Sequence, residues 1–313
     1  MARRSDPRER FALVDYRDRA SVLIWVVLMG LAAQRFLTLP TRIFTTGVLG
    51  SPITISITTN TILGVLLAGL VASGTEAVLQ AHPRSRYQPA RLPQPSPAAG
   101  VGWLPQDNSD ESGLLFSPFT TAARWVFWAL PIALVVVALL LLPVAPSSLY
   151  WLVGVILTGM ALGLSLAGIY STVDPFAIGY RRARLGLNAL TYAVAVALFL
   201  VVYRTRVRSI VSATEVTLVS GLLALELLRG SERPVRLVVL YAGITGLLLG
   251  QATWALNYWR LDSVTGGLVL LLLFYNIVGL AQNGLQGPIR RRVLIEHGLI
   301  SLAALAFIWE FAP

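Results

Sequence analysis

Glu76 and His82 lie at the end of one apolar run of the chain, and Glu296 and His297 lie near the start of another. An imidazole beside a carboxylate can hold a divalent cation or relay a proton. These are the only two histidines in 313 residues, and each stands close to a glutamate. A bis-histidine haem fits less well, because His82 precedes Pro83 outside the apolar run. No metal and no cofactor is assigned on this pattern. Glu215 and Glu226 also fall inside apolar runs, where ionisable groups are costly. Glu226 and Arg229, three residues apart on one helix face, are expected to pair locally, as are Arg208 and Glu215 two turns apart.

A second set is uncharged. Gln251, Trp254 and Tyr258 recur at spacings of three and four and share one helix face. Tyr275, Gly279 and Gln282 repeat that spacing further on, with Asn276 and Asn283 beside them. In hydrocarbon a buried amide needs a partner, and a hydrogen bond to a neighbouring helix supplies one. The simpler reading of both faces is structural glue. The alternative is a pocket of amides and aromatic rings for a lipid head, a pigment or a small polar solute.

Other chemistry is missing. The chain has no cysteine, which removes disulfides, thiol catalysis and iron–sulfur clusters. All 25 basic residues are arginine, so Schiff-base and phosphate-loop lysines are absent too. Gly-x-Ser-x-Gly, His-Glu-x-x-His and a glycine-rich phosphate loop do not occur. The sequence therefore leans away from an enzyme.

The elements that must carry these residues follow from composition. Apolar residues make up 56% and charged residues 13%, about half the charge of an ordinary soluble domain. A helix needs roughly 20 apolar residues to cross the hydrocarbon. Nine stretches qualify or nearly do: Ser21–Leu39, Ile53–Leu79, Trp125–Leu142, Tyr150–Tyr170, Leu185–Tyr203, Ile210–Leu228, Val235–Leu256, Val264–Leu285 and Val293–Phe311. The expected fold is an all-α polytopic bundle of about nine spans, one membrane domain over residues 1–313. A proline-rich loop at 81–118, expected in the cytoplasm, interrupts it.

Arginine placement sets the expected orientation. With the N-terminus inside, 19 of the 25 arginines fall on the cytoplasmic side, where positive residues are retained. The C-terminus then lies outside. The loop holding Arg204, Arg206 and Arg208 dissents: either spans five and six form a shallow hairpin, or these arginines snorkel and pair with acids such as Glu215. The net charge of +10 is spread between apolar runs, as in membrane loops, and does not point to nucleic acid. Expected partners are the lipid bilayer, anionic lipid heads at the cytoplasmic arginines, and other membrane proteins. Small residues in register (Gly159, Gly163 and Ala167; Gly243, Gly246 and Gly250) mark helix-packing seams, more simply internal than between copies.

Several stretches resemble an uncharacterised family of bacterial multi-pass membrane proteins. They are Val48-Leu49-Gly50-Ser51-Pro52, Thr253-Trp254-Ala255-Leu256-Asn257-Tyr258-Trp259, Leu273-Phe274-Tyr275 through Gly279-Leu280, and the Arg290-Arg291-Arg292 run leading to Glu296. The resemblance implies a bacterial inner membrane and brings no activity with it. The resulting expectation is a non-catalytic structural, assembly or accessory membrane component. The alternative is a transporter or lipid-handling enzyme with a pocket between spans seven and eight.

Overall fold

The computed structural model describes residues 7–37, 42–48, 51–82, 121–174, 179–205, 209–231, 233–259, 262–288 and 291–311. Within them run nine α-helices: α1 Pro7–Phe36, α2 Thr59–Gln80, α3 Ala129–Leu141, α4 Ser148–Ser171, α5 Tyr180–Thr205, α6 Ser209–Leu228, α7 Val235–Leu256, α8 Ser263–Gln286 and α9 Arg291–Phe311. Eight of these, α1 to α8, lie in segments long and apolar enough to cross a membrane. The ninth, α9, is 21 residues long and carries Arg291, Arg292 and Glu296 in its first two turns. Both α5 and α6 are among the eight, so the arginine-rich connection between them does not shorten either. Most of the 81–118 loop and Arg206, Arg208 and Arg290 lie outside the described residues.

The start of the second span differs from expectation. The second span begins at Thr59 and not at Ile53, because residues 51–57 form a strand. That strand, β2 Ser51–Ile57, pairs antiparallel with β1 Arg42–Val48, with Thr45 opposite Thr54. In Ile53-Thr54-Ile55-Ser56-Ile57, apolar and polar residues alternate and most are β-branched, a period-two signal at the edge of an apolar run. Thr58 then starts α2, its hydroxyl accepting from the Thr61 N–H. The third span keeps its expected start, running Arg124–Val144, but opens in a 3₁₀ helix, Thr121–Trp128. Pro131 lies in the first turn of α3, where its missing N–H leaves no bond unmade.

Two cores share α3, the most deeply buried of the membrane-length helices. One gathers α1, α2, α3 and α4 around Val27, Leu31, Val71, Val135 and Leu162. The other gathers α3 and α5 to α8 around Leu130, Phe199, Leu223, Leu249 and Phe274. Of the expected seam residues, Gly159, Gly163, Gly246 and Gly250 face a neighbouring helix, whereas Ala167 and Gly243 are exposed. A Cβ on Gly246 would meet the Thr217 carbonyl oxygen at 2.5 Å, so the backbones of α6 and α7 touch there. Gly159 packs on Leu28 of α1. Helix α9 is peripheral and seats along α8 through His297 and Ser301, while Leu299 and Leu302 point away from the bundle.

Candidate functional site

The two halves of the uncharged set part company. On α7, Gln251 is exposed, and Trp254 and Tyr258 meet edge to face, 52% and 75% exposed on the outer surface. On α8 the polar residues turn toward α5, α6 and α9. Ser301 of α9 donates to Asn276 Oδ1 at 2.9 Å, and Asn276 Nδ2 donates to Leu272 O within α8. Tyr275 stacks on His297 with ring centroids 5.9 Å apart, and the Tyr192 ring of α5 lies 6.4 Å from the Tyr275 ring. Gln282 donates to the Leu227 carbonyl at the end of α6. No hydrogen bond or ring contact joins the α7 residues to the α8 residues among the described residues.

His297 has a built seat. Its Nδ1 is 3.0 Å from the Val293 carbonyl, so that nitrogen carries the proton and donates. Its Nε2 lies over Gly279, where a Cβ would collide with the ring. Glu296 faces away and pairs with Arg292 at 2.8 Å on the exposed side. At the other end of the chain, Glu76 pairs with Arg124 at 3.1 Å, and His82 meets the Tyr170 ring edge on. The two histidines thus take separate partners, one on the α2–α4 side and one on α8. No group of three metal-ligating side chains occurs among the described residues.

A further set was not legible as a unit. Glu226, fully buried in α6, lies between two arginines: Arg229 Nε at 2.7 Å from Oε2, and Arg184 Nη1 of α5 at 3.4 Å from Oε1. The Glu226–Arg229 pair matches its expected spacing, but Arg184 is 42 residues away in sequence. Arg184 also donates to the Glu226 and Leu227 carbonyls, both at 2.9 Å. The Arg229 guanidinium stacks 4.4 Å above the Phe127 ring.

The same end of the bundle shows this arrangement four times. The last carbonyls of a helix have no partner within it, and the macrodipole makes that end negative. Arg19 of α1 donates to Ala77 O in the last turn of α2. Arg229 donates to Thr172 Oγ1, and Thr172 in turn bonds Ile169 O at the end of α4. Arg184 serves α6, and Arg233 donates to Leu285 O and Gln286 O at the end of α8. The ends of α2, α6 and α8 therefore place an arginine directly on their last carbonyls, and the end of α4 receives one through the Thr172 hydroxyl. At the opposite end Thr58 and Ser147 cap α2 and α4, Asn257 donates to Ser212, and one arginine, Arg35, donates to the Ser148 hydroxyl and lies over the Trp151 ring.

A family model described as Protein of unknown function (DUF5656) matches residues 39–310. The chain belongs to that family. No curated protein and no solved structure matches it. The DUF5656 match covers the β-hairpin, three of the four arginine-capped helix ends and the α8–α9 contact, while α1 precedes it. With eight membrane-length apolar helices, this DUF5656 protein is a multi-pass integral membrane protein.

Proposed function

We propose that the protein is a non-catalytic structural, assembly or accessory component of a bacterial plasma membrane, with its N-terminus in the cytoplasm and its C-terminus outside. The observation that carries this reading is how the intramembrane polar groups are used. Asn276 accepts from Ser301 of α9, Gln282 donates to the Leu227 carbonyl of α6, His297 stacks on Tyr275 of α8, and the α7 residues face outward. Polar groups spent on helix contacts act as glue.

The orientation is supported by the arginine-capped end, which gathers the basic residues that membranes retain in the cytoplasm. The chain acts as one membrane domain, with the proline-rich loop on that face. Exposed Arg181, Arg182, Arg236, Arg291 and Arg292 suit anionic lipid heads at the same level. The outward apolar face of α9, with Leu299 and Leu302 more than half exposed, suits other membrane proteins.

Three leucine substitutions test the reading in the full chain, purified in mild detergent. Asn276→Leu and Gln282→Leu are expected to lower the yield of monodisperse protein and its thermal midpoint. Gln251→Leu is expected to leave both unchanged. Wild-type yield and midpoint for Asn276→Leu, with a lost ability to complement a deletion strain, would replace glue with a working site.

A further inference from the structure

Near the arginine-capped end, α1 and α2 leave a groove of about 440 Å³ between them. Val22, Leu23 and Val26 of α1 and Leu70 of α2 wall it, and α2 lines the rest with the small residues Ser73, Gly74 and Ala77. At Gly74 the methyl groups of Leu23 occupy the space that a Cβ would take, so the two helices approach closely there. The groove is open to the outside: Val22 and Val26 are 62% and 44% exposed. In a bilayer such a surface faces hydrocarbon, and a void there forfeits dispersion contacts that a lipid chain supplies.

Only one end of the groove is charged, and its charges balance. Asp18 and Arg19 stand at the mouth, just before the apolar part of α1. Arg19 uses Nε, Nη1 and Nη2 once each, on Asp15 and the Ala77 carbonyl. A guanidinium has five N–H donors, so two remain to face the mouth. The Asp18 carboxylate has no hydrogen-bond or ion-pair partner among the described residues. Asp15, Arg17, Asp18 and Arg19 together carry no net charge, unlike the exposed arginines elsewhere at this level. An anionic head would meet the free carboxylate of Asp18. A zwitterionic head with a primary ammonium meets complementary charges at both of its groups.

We propose that this groove holds one acyl chain of an ethanolamine-class phospholipid, with the ammonium on Asp18 and the phosphate on the free N–H edge of Arg19.

The full chain, reconstituted in nanodiscs of equal phosphatidylethanolamine and phosphatidylglycerol and released for native mass spectrometry, tests this. The wild type is expected to retain one phosphatidylethanolamine. Ser73→Phe fills the groove from an exposed position and is expected to cut retention at least about fivefold. Asp18→Asn is expected to keep a lipid but lose the preference for ethanolamine over glycerol heads. Circular dichroism checks that each variant folds, and Val26→Trp fills the groove from the α1 side if Ser73→Phe does not fold. Wild-type protein that retains no lipid, or retains phosphatidylglycerol instead, overturns the proposal. So does a lipid-free dimer, or retention by both groove-filling variants equal to wild type. An unchanged head preference in Asp18→Asn overturns the headgroup assignment.

Discussion

Arg229 Nε, just past the end of α6, lies 2.7 Å from Glu226 Oε2 in its last turn, and both side chains are almost closed to solvent. With Arg184 on the other carboxylate oxygen, the acid is shared by two guanidinium groups from two helices. Removing the shared partner would leave two cations facing each other in a buried site.

Glu226→Ala is therefore expected to destabilise the protein by about 3–5 kcal/mol, the usual effect of breaking a buried pair from one side. Arg184→Met removes one cation and keeps the local Glu226–Arg229 pair, so its effect should be smaller. Unfolding midpoints of the detergent-solubilised variants check the order. Equal midpoints for Glu226→Ala and wild type would show that the cluster contributes nothing.

Arg233 gives a second, milder case. Its Nε bonds Leu285 O at 2.6 Å, in the last turn of α8. Arg233→Ala should cost about 1 kcal/mol, below the usual range for a hydrogen bond to a charged group because Arg233 is exposed. It should also speed hydrogen exchange in the last turn of α8, with the other helix ends unchanged. Uniformly faster exchange throughout the bundle would point to global destabilisation and not to a lost cap.

Helix number and spacing were legible because a lipid-facing helix is apolar over its whole length, a signal that needs no knowledge of its neighbours. The glycine seams were legible for a related reason: Gly246 and Gly250 leave room for a backbone whichever helix supplies it. The hairpin was missed because Ile53, Ile55 and Ile57 extend the apolar run of α2, and length outweighed their alternation. Pairing between distant helices was not legible at all. Arg184 reads as a topology signal beside Arg181 and Arg182, and only the packing of α5 on α6 reveals its acid. Likewise Gln251 and Gln282 look equivalent in sequence, and the rotation of each helix decides which one is exposed.

The seam between α6 and α7 separates two kinds of glycine. Gly246→Leu would drive a side chain into the Thr217 carbonyl and the Gly221 backbone, which have little freedom to retreat. Loss of monodisperse protein is expected. Gly243, on the same helix, has nothing within 4 Å of its Cβ position. Gly243→Ala should be neutral or stabilise by up to about 1 kcal/mol through helix propensity. Similar losses for both variants would show that helix flexibility, and not close approach, sets the requirement.

The absence of cysteine allows a direct test of the α8–α9 seat. Ser301 Oγ and Asn276 Oδ1 are 2.9 Å apart, so the double variant N276C/S301C places two thiols across the same contact. Mild oxidation should join them, and protease cleavage between the helices should then leave one linked species on a non-reducing gel. His297 sits one turn before Ser301 on α9 and rests over Gly279, so the seat depends on that glycine. Adding Gly279→Leu to the cysteine pair should lift α9 away and abolish the link. Adding His297→Ala should weaken it less, because the smaller residue removes a contact without obstructing the approach. Equal cross-linking in all three backgrounds would mean that α9 is held by something other than the His297 seat.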